Sequence, residues 1–542
     1  MAHADPYVHA ITPLLGRALS GLDAEITSPS RGSFDRTWWC WKFTDFSATR
    51  FQEGAHVLAW LATSPVSPAP EASRPRFAQL CGASLAFWAR LQHGDGSFDE
   101  AYPFERSLAA TAFSAFYLGR AIERLRGALA PEVESLALRT LERSAGWLAA
   151  NGEYHGILSN HLAAAAGALQ IAGDVLQTDR FRSGRDRYLG LIYRHQHPSE
   201  GWMREYGGAD PGYQSHGMFY LAEIERRTRD GELFERLSRG CDFLRWFVHP
   251  DGTIGGEYAS RGTKFSYPAA FELLAARLPA AASIAAHLRE QLRDGRGVGA
   301  REMDAWNQFP LLNNLLFAAD AAGDLGRPAP LPWHQDGSTA TFPDAGLVIA
   351  RRGRRIIACG ANMGGAVKIW SADGALEYED CGYAAQSADR WFVSQGEGSA
   401  HIDAVAETAL TVTAKTPFRG IPTTRFDPWR FIAFRLFTTT IGRLPSVARW
   451  LKELLVKVLI RKKQPHPGSL LRHVTIASDG SVTIDDTISD VATAPVPLPR
   501  HVPFHMGSSR YADFADWCGA ERPCPAPTAS EGGYRRRLVL DA

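Results

Sequence analysis

Tyr213, His216 and Tyr220 recur at spacings of three and four within the stretch Trp202 to Glu225, so they share one face of a helix. Asp210-Pro211, just after a Gly-rich loop, predicts an N-cap followed by a first helical position. That places a phenol and an imidazole side by side at a helix mouth, a pairing suited to proton transfer. A tyrosine has an ordinary pKa of about 10, so it acts as a base near neutral pH only where a cation stabilises the phenolate. Arg204, Arg261 and Lys264, all in Gly-rich loops, are the candidates for that charge. A second pair, Asn160-His161, precedes the apolar run that begins at Leu162. The plain reading is an Asn cap with an incidental His. The chemical reading is that the helix dipole lowers the imidazole pKa and favours its neutral form. An amide beside a neutral imidazole then suits gripping a carboxylate or an enolate-like oxygen.

Two loops look like versions of one another, Arg204-Glu205-Tyr206-Gly-Gly and Gly255-Gly-Glu257-Tyr258-Ala-Ser-Arg261. Their charged and aromatic residues, with Lys264, are expected to face a substrate; loop-to-loop salt bridging is the competing role. Glu105 and Arg106, with Glu100, Arg50, Gln52 and Glu53, either line the same cleft or serve as ordinary helix-terminal charges.

The elements that must position these residues are mostly helical. Apolar periodicity predicts helices at Gln52–Thr63, Ala78–Gln92, Leu108–Leu125, Val133–Ala150, Leu162–Leu176, Arg185–His195, His216–Arg227, Leu233–Phe247 and Ala269–Leu278. Three similar loops follow such segments, starting at Gln92-His-Gly-Asp-Gly, Gln196-His-Pro-Ser-Glu-Gly and His249-Pro-Asp-Gly. The second and third lie about fifty residues apart, the length of one helical hairpin. Repeated hairpins over residues 1–326 favour a closed α/α toroid, an incomplete helical barrel, over an irregular helical domain.

Residues 327–338 are Pro-rich and read as a linker. Beyond it, 339–542 alternates like strands at Ala345–Ala350, Arg355–Cys359, Val367–Ser371, Trp391–Val393, Ala409–Ala414, Leu471–Ala477 and Ser481–Ile488, with a hairpin signal at Asp479-Gly480. The predicted class is therefore α+β and multidomain, a toroid followed by an antiparallel β-sandwich. A basic amphipathic segment at about 429–463 interrupts the strands. It carries Arg443, Arg449, Lys452, Lys457, Arg461, Lys462 and Lys463. It either packs on the sandwich or lies on an anionic membrane surface.

The composition excludes less than it permits. The 542-residue chain is 45% hydrophobic and 22% charged with a formal net charge of +1, which gives no argument for nucleic acid. No basic leader with an apolar core is visible at the start, so the expected location is cytoplasmic, with membrane association through 429–463 the alternative. Seven scattered cysteines, Cys40, Cys81, Cys241, Cys359, Cys381, Cys518 and Cys524, suit free thiols in a reducing compartment. No CxxC pair suggests zinc, and no cofactor is expected.

Asn160-His161, then Gly212-Tyr213-Gln-Ser-His216-Gly, then a Pro-rich linker and a strand-rich half resemble the heparinase II/III-like and alginate-lyase-like polysaccharide lyases. The strand pair Asp344–Arg351 and Val367–Gly374 resembles the opening of that family's β domain. The resemblance implies a toroid joined to a sandwich, cleavage of a uronic-acid-containing polysaccharide by β-elimination, and an acidic poly- or oligosaccharide as partner. Asn160 and His161 then bind the uronate carboxylate, Tyr213 is acid or base, and His216 supports it. One departure stands out. The family's histidine motif before Val367 is replaced here by Met363-Gly-Gly-Ala, which leaves a structural metal unsupported, and His401 is the nearby substitute. Two other functions use the same residues. A glycoside hydrolase needs two carboxylates, drawn from Asp210, Glu205 and Glu257. A non-catalytic carbohydrate-binding protein of polysaccharide assembly needs neither.

Overall fold

The apolar periodicity of the first half folds into two sets of helices in the computed structural model, which describes residues 3, 5–153, 156–396, 398–405, 409–421, 427–455, 457, 465–500 and 524–542. Cys518, Arg461, Lys462 and Lys463 lie outside the described residues. Gly54–Thr63, Leu108–Arg124, Ser159–Leu176, Pro211–Thr228, Ala269–Leu274 and Gln308–Ala321 pack each on the next, and the last returns to the first. These six are buried on nearly every face, and Leu108–Arg124 and Ser159–Leu176 are rich in Ala and Gly, which lets their backbones approach. The remaining helices are amphipathic. Gly231–Leu244, for example, buries Leu233, Leu237, Cys241 and Leu244 at helical spacing and packs on Pro279–Asp294.

Among the described residues, three helices longer than one turn lie outside the predicted segments, Asp5–Leu19, Pro279–Asp294 and Gln308–Ala321. Each holds a proline that reads as a breaker. Pro279 and Pro310 stand in first turns, where the amide has no intrahelical partner to lose. The repeated loops are structurally alike. His93, His197 and His249 donate their amides to Ser97, Trp202 and Thr253. Gly96 and Gly201 have φ of +100° and +82°, and a Cβ there would strike the carbonyls of Arg143 and Arg239. Glycine is required at both.

The second half holds two antiparallel sheets. Thr339–Phe342, Leu347–Arg352, Arg355–Gly360, Ala366–Ser371 and Leu376–Asp380 form a five-stranded meander. The larger, nine-stranded sheet is centred on Ala409–Gly420, Pro465–Ala477, Val482–Ser489 and Gly533–Leu540. Asp479-Gly480 turns between two of its strands, with Ile476 opposite Val482 and Gly480 at φ +92°. Side-chain alternation splits the meander between two cores. Val348, Ile357, Val367 and Ile369 meet Val412, Val474 and Val482 of the larger sheet. Leu347, Ile349, Ile356 and Trp370 join the core of the helical unit. A sheet covered on both faces explains the unbroken apolar runs of these strands.

The basic segment leaves the larger sheet as the helices Pro428–Thr439 and Pro445–Leu455. It was expected on the β domain, but it docks on loops of the helical unit. Phe434 meets Tyr102 at 5.1 Å, Arg443 lies 5.1 Å over Phe104, Lys452 pairs with Glu105 at 3.2 Å and Arg435 with Asp45 at 3.2 Å. Acids on those loops supply the reason. The described cysteines Cys40, Cys81, Cys241, Cys359, Cys381 and Cys524 are free. Among the described residues, no helix is long and apolar enough to cross a membrane.

Candidate functional site

Five chain segments bring the first turns of neighbouring inner helices together. Asp210 caps the Tyr213 helix, its side chain accepting from the Tyr213 amide at 3.0 Å, with Pro211 in the first turn. Asp210 also accepts from the Arg261 amide at 3.0 Å and from the Thr263 hydroxyl. The cap thus ties the helix to the 255–264 loop. Asn160 does not cap. Its helix begins at Ser159, so Asn160 and His161 stand within the first turn, and Ser159 donates to the Arg204 carbonyl at 2.6 Å. Gly217 stands where the two helices meet, a Cβ there falling at van der Waals contact with Asn160 Cα.

Arg261 is the cation that the loops supply to Tyr213. Its guanidinium carbon lies 3.5 Å from the Tyr213 ring centre and 5.2 Å from that of Tyr206. One nitrogen binds Glu205 at 2.6 Å, while Nε and Nη2 are buried with no hydrogen-bond partner among the described residues. Burial pushes the Glu205 carboxyl up to about 7 against the pull of Arg261. Tyr206, held at φ +56°, is pushed up to about 12 by burial. Arg204 is exposed and donates to the Tyr206 carbonyl at 2.9 Å, on the far side of this loop from Tyr213.

His216 stacks between Phe113 and Tyr267, at ring-centre distances of 5.4 and 3.9 Å. Its Nε2 meets the Tyr220 hydroxyl at 2.9 Å, and Tyr220 meets Tyr117 at 3.0 Å. Burial, then the charge of Arg50, holds His216 well below its ordinary range, so the imidazole is neutral. Its Nδ1 and the Asn160 side-chain oxygen are both buried and have no hydrogen-bond partner among the described residues. Buried polar atoms are nearly always paired, so these two are open to a further hydrogen-bond partner. His161 places Nδ1 2.7 Å from Glu153 and its ring edge-on to Phe113 at 5.6 Å. Arg50 covers the Phe113 ring at 4.4 Å and pairs with Glu53 and, at 3.2 Å, with Glu100. Burial pushes Glu53 up to about 7.

Tyr213, Asn160, His161, His216, Arg261, Glu205 and Tyr206 therefore form one cluster. The structure places the remaining predicted residues elsewhere. Glu257 and Lys264 pair with each other and with Lys368 and Glu379 of the meander. Burial disfavours the Glu257 charge, but Lys264 and Lys368 outweigh it and hold the carboxyl far below its usual range. Tyr258 is buried at that junction with its hydroxyl 2.6 Å from His249. Glu105 accepts from the amides of Glu100 and Ala101 and holds Lys452; Arg106 pairs with Asp95 and donates to the Arg443 carbonyl at 2.6 Å. His401 is exposed on the strand Ser399–Val405. Met363-Gly364-Gly365 is a tight turn on which Arg472 rests, donating to the Gly365 carbonyl at 3.2 Å.

Phe113, Tyr267 and Glu153 belong to the cluster and carry no local signal in the sequence. Phe113 sits in the helix Leu108–Arg124 among residues that are nearly all buried and apolar or small. Among the described residues, His197, Glu200 and Asp344 could together hold a metal ion, but the Glu200 oxygens already accept from the amides of Asp344 and Ala345 and the Trp202 indole.

No family model matches the chain, and no curated protein sequence matches it. Among solved structures, heparinase III aligns over 82% of this chain and 64% of its own, at 11% identity and a TM-score of 0.46. A mutant chondroitin AC lyase from Streptomyces coelicolor A3 aligns over 90% and 66%, at 10% identity and 0.47. A mutant heparan sulfate lyase from Pedobacter heparinus aligns over 87% and 64%, at 11% and 0.43. The chain spans less than two thirds of the length of each. Every one of these TM-scores lies below 0.5.

Proposed function

We propose that the chain is a polysaccharide lyase that cleaves a uronic-acid-containing polysaccharide by β-elimination, on an α/α toroid joined to a β-sandwich. The observation that carries this reading is Tyr213 against the Arg261 guanidinium, in the cluster that also holds the buried Asn160 Oδ1 and His216 Nδ1, which have no hydrogen-bond partner among the described residues. In β-elimination a base removes the proton at C5 of the uronate, and the glycosidic oxygen at C4 leaves with a proton. The C5 proton becomes acidic only when the adjacent carboxylate is neutralised, because charge builds there in the transition state. Asn160 and His161, at the positive end of the helix Ser159–Leu176, are suited to that carboxylate. Tyr213 takes the C5 proton as phenolate, which Arg261 stabilises across the ring, and hands that proton to the C4 oxygen as the glycosidic bond breaks. A neutral His216 receives a hydrogen bond without adding a competing charge.

The hydrolase alternative loses support from the geometry. Asp210 is consumed as a helix cap, Glu205 holds Arg261 and Glu257 is locked in an ion cluster, so each of the three acids that a hydrolase would draw on is already engaged. The test is to incubate the protein with heparan sulfate, chondroitin and other uronate polymers and follow the ultraviolet absorbance of the unsaturated uronide. Tyr213→Phe is expected to lower the rate by about 10² or more with an unchanged melting temperature. Full activity in Tyr213→Phe overturns the role of Tyr213. Reducing ends released without absorbance overturn elimination itself.

A further inference from the structure

The helices Pro428–Thr439 and Pro445–Leu455 are two-faced, and only one face is used. Inward, Arg435, Phe434, Arg443 and Lys452 grip the loops at 45–46 and 102–106. Outward stand Trp429 (79% exposed), Ile432 (55%), Leu436 (64%), Leu444 (57%) and Trp450 (56%). Of the fifteen large apolar side chains exposed among the described residues, eight lie in this one segment. A soluble surface scatters such residues singly, so this concentration marks an interaction surface.

Charge decides the partner. Residues 427–457 carry six basic side chains against the acids Asp427 and Glu453. Arg430, Arg449 and Lys457 are exposed beside the apolar patch. Two exposed tryptophans among bulky aliphatics, flanked by arginines, match the boundary between headgroups and acyl chains. A twofold interface between copies would set this basic rim against itself, whereas anionic headgroups neutralise it. We propose that residues 427–455 form an in-plane anchor that seats the protein on an anionic lipid bilayer. The inward contacts fix the anchor to the helical unit, so the whole molecule is carried to the surface without a spanning segment.

Co-sedimentation of the full chain with phosphatidylcholine vesicles, with and without phosphatidylglycerol, tests this. Binding is expected only with phosphatidylglycerol. The triple variant Trp429→Ser, Ile432→Ser, Leu436→Ser is expected to bind about tenfold or more weakly with an unchanged melting temperature. Arg430→Glu with Arg449→Glu is expected to weaken binding as well, and more at low salt than at high. A second measurement separates insertion from adsorption: brominated lipid should quench the wild-type fluorescence component that Trp429→Phe removes. Failure of the wild type to bind, equal binding by both variants, or absence of that quenching overturns the proposal. A concentration-dependent dimer abolished by the triple variant, without vesicle binding, would assign the face to a second copy and likewise overturn it.

Discussion

At the scale of single residues, the site is a set of polar atoms kept dry and partly unpaired. Glu205 shows how this couples to pH. Burial raises its folded-state carboxyl from the ordinary 4.5 to about 7, so the folded chain holds that proton more tightly than the unfolded chain does. The sign follows from linkage: this carboxyl weakens the folded state progressively as pH rises from about 4.5 to about 7. Glu205→Gln removes the titration. Wild-type stability relative to Glu205→Gln should therefore fall across that window, as measured by denaturant unfolding at a series of pH values. A difference that stays flat with pH would show that Glu205 titrates normally.

At the scale of elements, the larger sheet carries a buried ion network against the meander's last strand. Arg472 meets Asp486 at 2.7 Å and Asp380 at 3.0 Å, Arg536 joins both acids, and Tyr383 donates to Asp486 at 2.5 Å. Burial disfavours the Asp380 charge, yet Arg472 and Arg536 outweigh it and hold the carboxyl well below its ordinary 3.8. Its stabilising share is thus complete above about 3.8 and is lost only as pH falls below that value. Removing one partner leaves uncompensated charge in a dry interior. Arg472→Ala should cost about 3–5 kcal/mol in chemical denaturation, whereas a surface pair such as Arg180–Glu142 should cost under about 1 kcal/mol. Equal losses for the two would mean that the network is not dry. Gly365 belongs to the same element, because a Cβ there would lie 2.7 Å from the Arg472 side chain. The turn Met363-Gly364-Gly365 is shaped by this packing.

At the scale of the molecule, the helical unit and the meander share one apolar core. Trp370 is its keystone from the β side. It is fully buried, stacks on His249 at 4.0 Å and donates to Asp251 at 2.7 Å. Beside it, Lys368 bridges Glu257 at 2.9 Å and Glu379 at 3.1 Å. Two units joined this way should unfold together. Trp370→Ala is expected to cost about 3–5 kcal/mol and to split a single calorimetric transition into two. One undivided transition in that variant would show that the junction does not couple the halves. The same junction explains why Glu257, Lys264 and Tyr258, which look substrate-facing in a Gly-rich loop, are turned toward a sheet.

Local physics made part of this legible in the chain alone. Asp210-Pro211 specified a cap and first turn, because an Asn or Asp oxygen and a missing proline amide act within a few residues. The amphipathic helices, the repeated Gly loops and the Asp479-Gly480 hairpin followed from period and backbone freedom in the same way. The proximity of Tyr213 to Asn160 and the membership of Phe113, Tyr267 and Glu153 did not. These residues come from separate helix starts and the loops before them, and only the order in which the inner helices pack brings them together. Nor could the chain alone say which residues of the two like loops face the cluster. Arg261 and Glu205 were drawn inward by Asp210 and Tyr213, while Glu257 and Lys264 were captured by charges on a strand more than a hundred residues later. Sequence determined the elements and their caps, since those energies are local. Tertiary packing decided the site, since burial and charge pairing depend on neighbours that no local pattern encodes.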